Sequence, residues 1–298
     1  FQSPRPVTPA GAAADNVEPC GETGKLTMSG RSKFASLALA VSLLVPLWFI
    51  VAALGVKFGL WPWRLGLGVL IVQWGPRVMI AAAVIAAVAL IAVLLRRPRR
   101  GWQAAVIALL IPLVGFAYMG WVRSQSADIP PIHDIATDIV DPPAPSARLS
   151  ALRTADSANP VLDMTAPLTT ADAYQGPRFA RFGQQSLGEV GHAAYPAVRT
   201  VEVAVKPAVA FAAARKAAVD MGWTLVTEDE ASGVIEATAE TFWFGFKDDV
   251  IVRVRPTANG SGVRIDARSI SRVGLSDLGA NGKRIERYLT RVSAELDG

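Results

Sequence analysis

Cysteine is nearly absent from this sequence. A single Cys20 excludes an intrachain disulfide and a thiolate-bound metal cluster. Histidine is almost as scarce: His133 and His192 are the whole supply, so a zinc site would have to draw its other ligands from carboxylates. Charge is missing over long stretches. Residues 34–56, 78–95 and 101–122 contain no Asp, Glu, Lys, Arg or His. Ionisable groups inside a bilayer mark ion and proton paths. Their absence speaks against a pump, an exchanger or a transporter of charged substrates. Residues 1–27 also lack the apolar centre of a signal peptide.

What fills the charge-free stretches is apolar. About 20 such residues cross a bilayer's hydrocarbon layer as a helix, and backbone groups in lipid have to be bonded within the segment. The first and third runs reach that length. The second reaches it by starting near Gly75-Pro76, with Arg77 snorkelling to the interface. Pro46 and Pro112 fall inside two runs, where neighbouring helices make proline tolerable. Trp48, Trp61, Trp63, Trp74, Trp102 and Trp121 lie mostly near the run ends, where indoles meet headgroups.

Lysine and arginine in the short flanks set the orientation. Lys25, Arg31 and Lys33 precede the first run, and Arg96, Arg97, Arg99 and Arg100 stand between the second and third. With three spans these seven share one side, against Lys57, Arg64, Arg77 and Arg123 on the other. The heavier side is expected to be cytoplasmic. In a bacterial inner membrane the C-terminal half then faces the periplasm. The net charge of +5 does not signal nucleic acid. Residues 1–123 carry twelve Lys+Arg against three Asp+Glu, and residues 124–298 carry eighteen against twenty-two. The basicity belongs to the membrane part, and the remainder lacks the footprint that phosphate-backbone binding needs.

The expected organisation has four parts. Residues 1–33 form a disordered tail, with Met28 resembling a natural start. Residues 34–122 form the transmembrane domain; within it, residues 65–72 either dip into the interface or extend the second helix. Residues 123–197 are broken by Pro130-Pro131, Pro142-Pro143, Pro145, Pro160, Pro167, Pro177 and Pro196. They form a linker partly docked on the last part, residues 198–298, which is an α+β domain.

In that domain Val201-Glu202-Val203-Ala204-Val205 alternates as a half-buried strand. Pro207 suits the start of an alanine-rich helix and Gly222 its end. Strands are expected over 223–227, 234–241, 249–255 and 263–270, with Asn259-Gly260 in a hairpin. On the third strand Ile235, Ala237 and Ala239 face in, and Glu236, Thr238 and Glu240 face out. A final helix from about Asp277 to Leu296 buries Leu278, Ile285, Leu289, Val292 and Leu296, with Lys283, Arg284, Arg287 and Arg291 mostly on its wet side. The expected fold is therefore α+β: three transmembrane helices, then an antiparallel sheet covered on one face by two helices.

Chemistry is harder to find. Arg253 and Arg255 share a face of one strand, and Arg264, Asp266 and Arg268 share a face of the next. A polar, glycine-rich stretch then opens the last helix. Arg253, Arg268, Ser271, Arg272, Asp277 and Asn281 are the candidate anion-binding residues, at a helix N-terminus that presents free amides. The alternative is that Ser276 or Asp277 caps the helix while the arginines pair with Asp248, Asp249 or Asp266. His133, Asp134 and Asp138 read either as a metal cluster or as a short extended segment whose isoleucines dock on a surface. The second reading is preferred, and neither a metal nor a cofactor is expected.

Phe244-Gly245-Phe246, Asp248-Asp249-Val250, Arg253, Asp266-Ala267-Arg268-Ser269, Ser271-Arg272-Val273-Gly274, Ser276-Asp277-Leu278-Gly279, Asn281 and Arg284-Ile285 together resemble the signature of the family called domain of unknown function 1499 (DUF1499). The resemblance covers roughly residues 130–296. His133-Asp134-Ile135, Thr137-Asp138 and Pro142-Pro143 resemble its membrane-spanning members, which carry several helices ahead of the domain. Short soluble members carry cysteines near the domain's front, and this chain has none there. The resemblance implies a domain boundary but no reaction. The expected function is a non-enzymatic envelope protein whose domain binds a partner protein, a lipid headgroup or an anionic ligand. The alternative is a hydrolase or metal-dependent enzyme using Asp248, Asp249 or Asp277 with His133.

Overall fold

The computed structural model describes residues 30–95 and 97–297. The expected tail as far as residue 29, with Cys20, Lys25 and Met28, lies outside them, as does Arg96. Three helices open the described chain: α1 (Gly30–Lys57), α2 (Gly75–Leu94) and α3 (Trp102–Gln125). A π-wound stretch, Arg64–Trp74, runs directly into α2. The two make one apolar rod of 31 residues, Arg64–Leu94, so residues 65–72 extend the second helix. All three helices are long and apolar enough to cross a membrane.

The three helices meet along small side chains. Ala38, Ala86, Ala89 and Ala108 are fully buried at one level; Ala35, Val93 and Ala105 form a second level, and Val45, Met79 and Ala82 a third. Leu44, Ile80, Val84, Ile107 and Leu110 point outward. Lipid tails are as apolar as leucine, so helices associate in lipid through close packing, which alanine permits. Two indoles tie the turn after α1. Trp48 Nε1 donates to the Leu70 carbonyl at 2.9 Å and Trp61 Nε1 to the Ala52 carbonyl at 3.1 Å.

The rest is an antiparallel six-stranded sheet: β1 (Asp134–Ala136), β2 (Val201–Val203), β3 (Thr224–Asp229), β4 (Val234–Glu240), β5 (Lys247–Pro256) and β6 (Val263–Ser271). The order is β1-β6-β5-β4-β3. β2 also pairs with β6, taking residues 263–265 while β1 takes 268–270. Alternation sends Ile235, Ala237, Ala239, Val250, Val252, Val254, Ile265 and Ala267 into one core. Over that face lie α6 (Pro207–Asp220) and α7 (Ala280–Asp297). Gly222, at φ +74, ends α6 in the left-handed conformation that favours glycine. Trp223 comes next and stacks on Tyr288, with ring centroids 5.0 Å apart.

Two details of α7 differ from the sequence reading. The helix begins at Ala280, and Leu278 stands before it at φ +52, more than half exposed. Arg284 lies on the buried side rather than the wet one, 8% exposed. Its spacing from Asn281 and Tyr288 places it on the helix's inner stripe.

The second face of the sheet is covered as well. Glu236, Asp249, Asp266 and Arg268 point into it and are buried. Above them runs the proline-broken segment after β1, with α4 (Ala147–Ala155), whose Leu149 packs on Ile251 and Ile270. Ser146 caps α4 and donates its amide and hydroxyl to Glu236 at 2.5 and 2.6 Å. Further along, Met164, Leu168, Tyr174, Phe179 and Leu187 join Ile132 and Ile135 in the principal core. Leu187 opens α5 (Leu187–Ala194) behind a Ser186–Glu189 capping box.

The domain meets the three apolar helices at one end. Lys57, the last residue of α1, donates its ammonium to the Phe242 carbonyl at 2.7 Å. Phe242 lies in the β4–β5 connection, so this end of the strands sits at the end of α1 away from the bend between α2 and α3.

Candidate functional site

The arginines singled out in the sequence are held by carboxylates. Arg268 Nε and Nη2 grip both oxygens of Asp134 at 2.9 and 2.7 Å, and Nη2 also donates to the Leu162 carbonyl at 2.7 Å. Arg272 donates Nε to Asp249 at 2.9 Å, Nη2 to Asp249 at 2.6 Å and Nη1 to Asp156 at 2.7 Å. Arg253 lies opposite Asp266 in the β5–β6 register and reaches it at 3.2 Å. Arg255 and Arg264 are paired like charges, and Asp138 bridges them at 3.2 Å to each. Burial opposes Arg272's charge, but the bonds to Asp249 and Asp156 raise its pKa. Asp156 feels the same balance in reverse: partial burial opposes its charge, and Arg272 and Lys247 still hold its carboxyl below the usual range.

The remaining candidates gather at the start of α7. Asn281 Nδ2 donates to the His133 carbonyl at 3.1 Å and to Ser271 Oγ at 2.9 Å, while its Oδ1 accepts from Ser269 and Arg284. Asp277 accepts from the amides of Gly279 and Asn281 at 2.8 and 2.7 Å, and burial pushes its carboxyl up. Arg284 Nη2 bonds Asp248 at 2.5 Å. Asp248, Asp249 and Asp277 are thus separate: Asp249 belongs to the layer over the second face, Asp248 to Arg284, and Asp277 to the helix cap.

Three participants were missed. Arg153 of α4 reaches Asp249 at 2.5 Å; Asp156 lies just after α4; Arg284 is the third. The only sequence signal for the two arginines is their inner-stripe position on a helix, and Asp156 carries none.

His133 is buried and faces Tyr174, whose hydroxyl lies 2.6 Å from Nδ1. Asp134 bonds Arg268 and Asp138 bonds Arg255 and Arg264, so these three residues do not converge. Among the described residues no group of three or more His, Cys, Asp or Glu could hold a metal ion. Burial lowers the His133 pKa, with Asp134 partly offsetting it, and raises that of the Tyr174 hydroxyl. Tyr195, packed against Gly279 and Gly282, has its hydroxyl pushed up to about 12 by burial.

These shifts make stability depend on pH. The fold keeps His133 neutral below the pH at which the unfolded chain protonates it, about 6.5. The His133 contribution to stability is therefore flat above that pH and falls on acidification until the folded-state pKa is passed, by up to about 1.4 kcal/mol per pH unit. His133→Gln should flatten most of the decline between pH 6.5 and 5.5 in denaturant midpoints of the full chain in micelles. A residual slope from His192, lowered mainly by burial, should persist.

The domain also carries an open groove of about 370 Å³ between the end of α6, the end of β4 and α7. Trp223, Ala239, Glu240, Arg284, Arg287 and Arg291 line it. Arg284 is neutralised by Asp248, and Arg291 lies 3.6 Å from Asp220. Arg287 is exposed and bonds the Lys283 carbonyl of its own helix; among the described residues it has no carboxylate partner.

Neither a curated protein nor a solved structure matches the chain. The family model described as protein of unknown function (DUF1499) matches residues 134–292. The match takes in β1 and the charged layer as well as α6 and most of α7. It spans more than half of the sequence, and the chain belongs to the DUF1499 family.

Proposed function

We propose that this chain is a membrane-anchored, non-enzymatic binding module that holds an anionic group in the groove beside Trp223. The observation that carries the reading is the Arg287 guanidinium, which opens into that groove with no carboxylate against it among the described residues. Arg291 adds a second cation, and Trp223 supplies an apolar wall. Arg253, Arg268 and Arg272 serve the fold in this reading, because an anion there would have to displace a carboxylate already bonded to them. We place the anchor in a bacterial inner membrane with the domain on the periplasmic side. The excess of Lys and Arg on the side of the α2–α3 bend supports that orientation.

A phosphate group is the chemistry that Arg287 and Arg291 fit, whether on a lipid headgroup or free in solution. Native mass spectrometry of the full chain from micelles doped with phosphatidylglycerol tests the first source, and calorimetric titration with inorganic phosphate the second. Wild type should retain one of the two. An Arg287→Ala/Arg291→Ala variant with unchanged thermal unfolding should lose it. Equal retention by both proteins, or by neither, would refute the assignment.

A further inference from the structure

The β4–β5 connection, residues 241–246, is built differently from the hairpin at the other end of β5. That second hairpin is Thr257-Ala258-Asn259-Gly260-Ser261-Gly262 and is polar. The first carries Phe242, Trp243, Phe244 and Phe246. Phe242 is 72% exposed and Trp243 50% exposed. They pack edge to face at 5.2 Å, above a stacked Phe244–Phe246 pair at 4.9 Å.

The tip is preformed. The Gly245 amide donates to the Thr241 carbonyl at 3.0 Å, and the Phe246 amide to Thr241 Oγ1 at 2.9 Å. Gly245 sits at φ +65, and a Cβ there would come within 3.3 Å of the Lys57 backbone. The closeness fixes the tip's height. Lys57 ends the first membrane-spanning helix, bonds the Phe242 carbonyl, and places its ammonium 4.9 Å from the Phe242 ring centre. Beside it in the same turn stand Phe58, 69% exposed, and Leu60, 71% exposed. Two chain segments far apart in sequence thus bring exposed aromatic and aliphatic side chains to one level, at the end of a span.

We infer that the Phe242–Trp243 tip lies in the headgroup layer of the bilayer that α1 crosses, and so fixes the sheet domain against that membrane. Aromatic rings gain at the interface because the apolar body leaves water while the indole N–H stays among polar groups. Lys57 fits the same level, its stem in the apolar zone and its ammonium among headgroups. The continuity of the tip with the end of the span selects lipid over a second protein as the occupant.

The full chain offers a direct test. In a Cys20→Ser background, Trp243→Cys and, separately, Asn259→Cys are labelled with a nitroxide in vesicles of phosphatidylcholine and phosphatidylglycerol. Both positions are exposed and lie outside the domain core; the changes remove the Trp243 contact with the Phe242 ring and the Asn259 turn bonds to Ser261, and nothing deeper. Collision with lipid-soluble oxygen and with an aqueous nickel chelate is then measured. The label at 243 should show a severalfold lower nickel collision rate than at 259, with oxygen access kept or increased. Equal nickel access at the two sites would overturn the inference by placing the tip in water. Protection of 243 from both reagents would overturn it too, by covering the tip with protein.

Discussion

Asp249→Ala should lower the stability of the domain by at least about 3–5 kcal/mol, the usual cost of stripping one partner from a buried ion pair. Asp249 is fully buried and serves two arginines from different elements, Arg153 of α4 and Arg272 just after β6. It also accepts from Thr238 Oγ1 of β4 at 3.0 Å. Both arginines are more than nine-tenths buried. Without the carboxylate, Arg272 keeps Asp156, itself 40% exposed, and Arg153 keeps only carbonyls, those of Asn159 and Ile270. Asp249→Asn should behave much like the alanine variant, because a neutral amide cannot offset two buried cations. The control is Asp141→Ala. Asp141 is 58% exposed, and its arginines retain Asp266 and Asp138, so the loss should stay below about 1 kcal/mol. Denaturant unfolding of the full chain in micelles, followed by tryptophan emission, measures both. Equal losses for Asp141 and Asp249 would show that burial does not set the strength of these pairs.

The same contrast explains what could be read before the fold was known. The three long apolar helices are legible because each is built on a long run without charge, a pattern that depends on nothing distant. β2 to β6 are legible because alternation reports one buried face. That logic misleads on the opposite face. Glu236, Arg253, Arg255, Arg264, Asp266 and Arg268 occupy alternate positions and read as the wet side of a sheet. A buried charge is tolerated only against a partner, and the partners Asp134, Asp138, Arg153 and Asp156 lie about a hundred residues away in a segment whose prolines suggest a tether. No local pattern says which aspartate meets which arginine. Arg284 was within reach of the argument, since it falls on the α7 stripe with Ile285 and Tyr288. Arg287 and the Trp223 groove were not, because the cavity exists only once α6, β4 and α7 are packed together.

A soluble fragment of residues 198–298 should fail to fold, whereas residues 127–298 should fold. The shorter piece holds β2 to β6 and both covering helices, which by pattern alone looks like a complete sandwich. It would lose Ile132, Ile135, Met164, Leu168, Tyr174, Phe179 and Leu187, all at most 2% exposed in the intact chain. At about 1.5–3 kcal/mol for each large apolar side chain buried, that loss alone comes to roughly 10–20 kcal/mol, as large as the roughly 5–15 kcal/mol by which a domain is stable. The charged face would suffer as well. Arg268 would lose Asp134, Asp249 would lose Arg153, and Glu236 would lose both donors of Ser146. The longer fragment keeps every one of these partners. Amide proton–nitrogen correlation spectra of the two fragments decide the matter: dispersed peaks are expected for 127–298 and collapsed ones for 198–298. Dispersed peaks from the shorter fragment would mean that the segment after β1 is an accessory to the sheet. The boundary implied by the contacts, like the family match beginning at residue 134, puts it inside the folding unit.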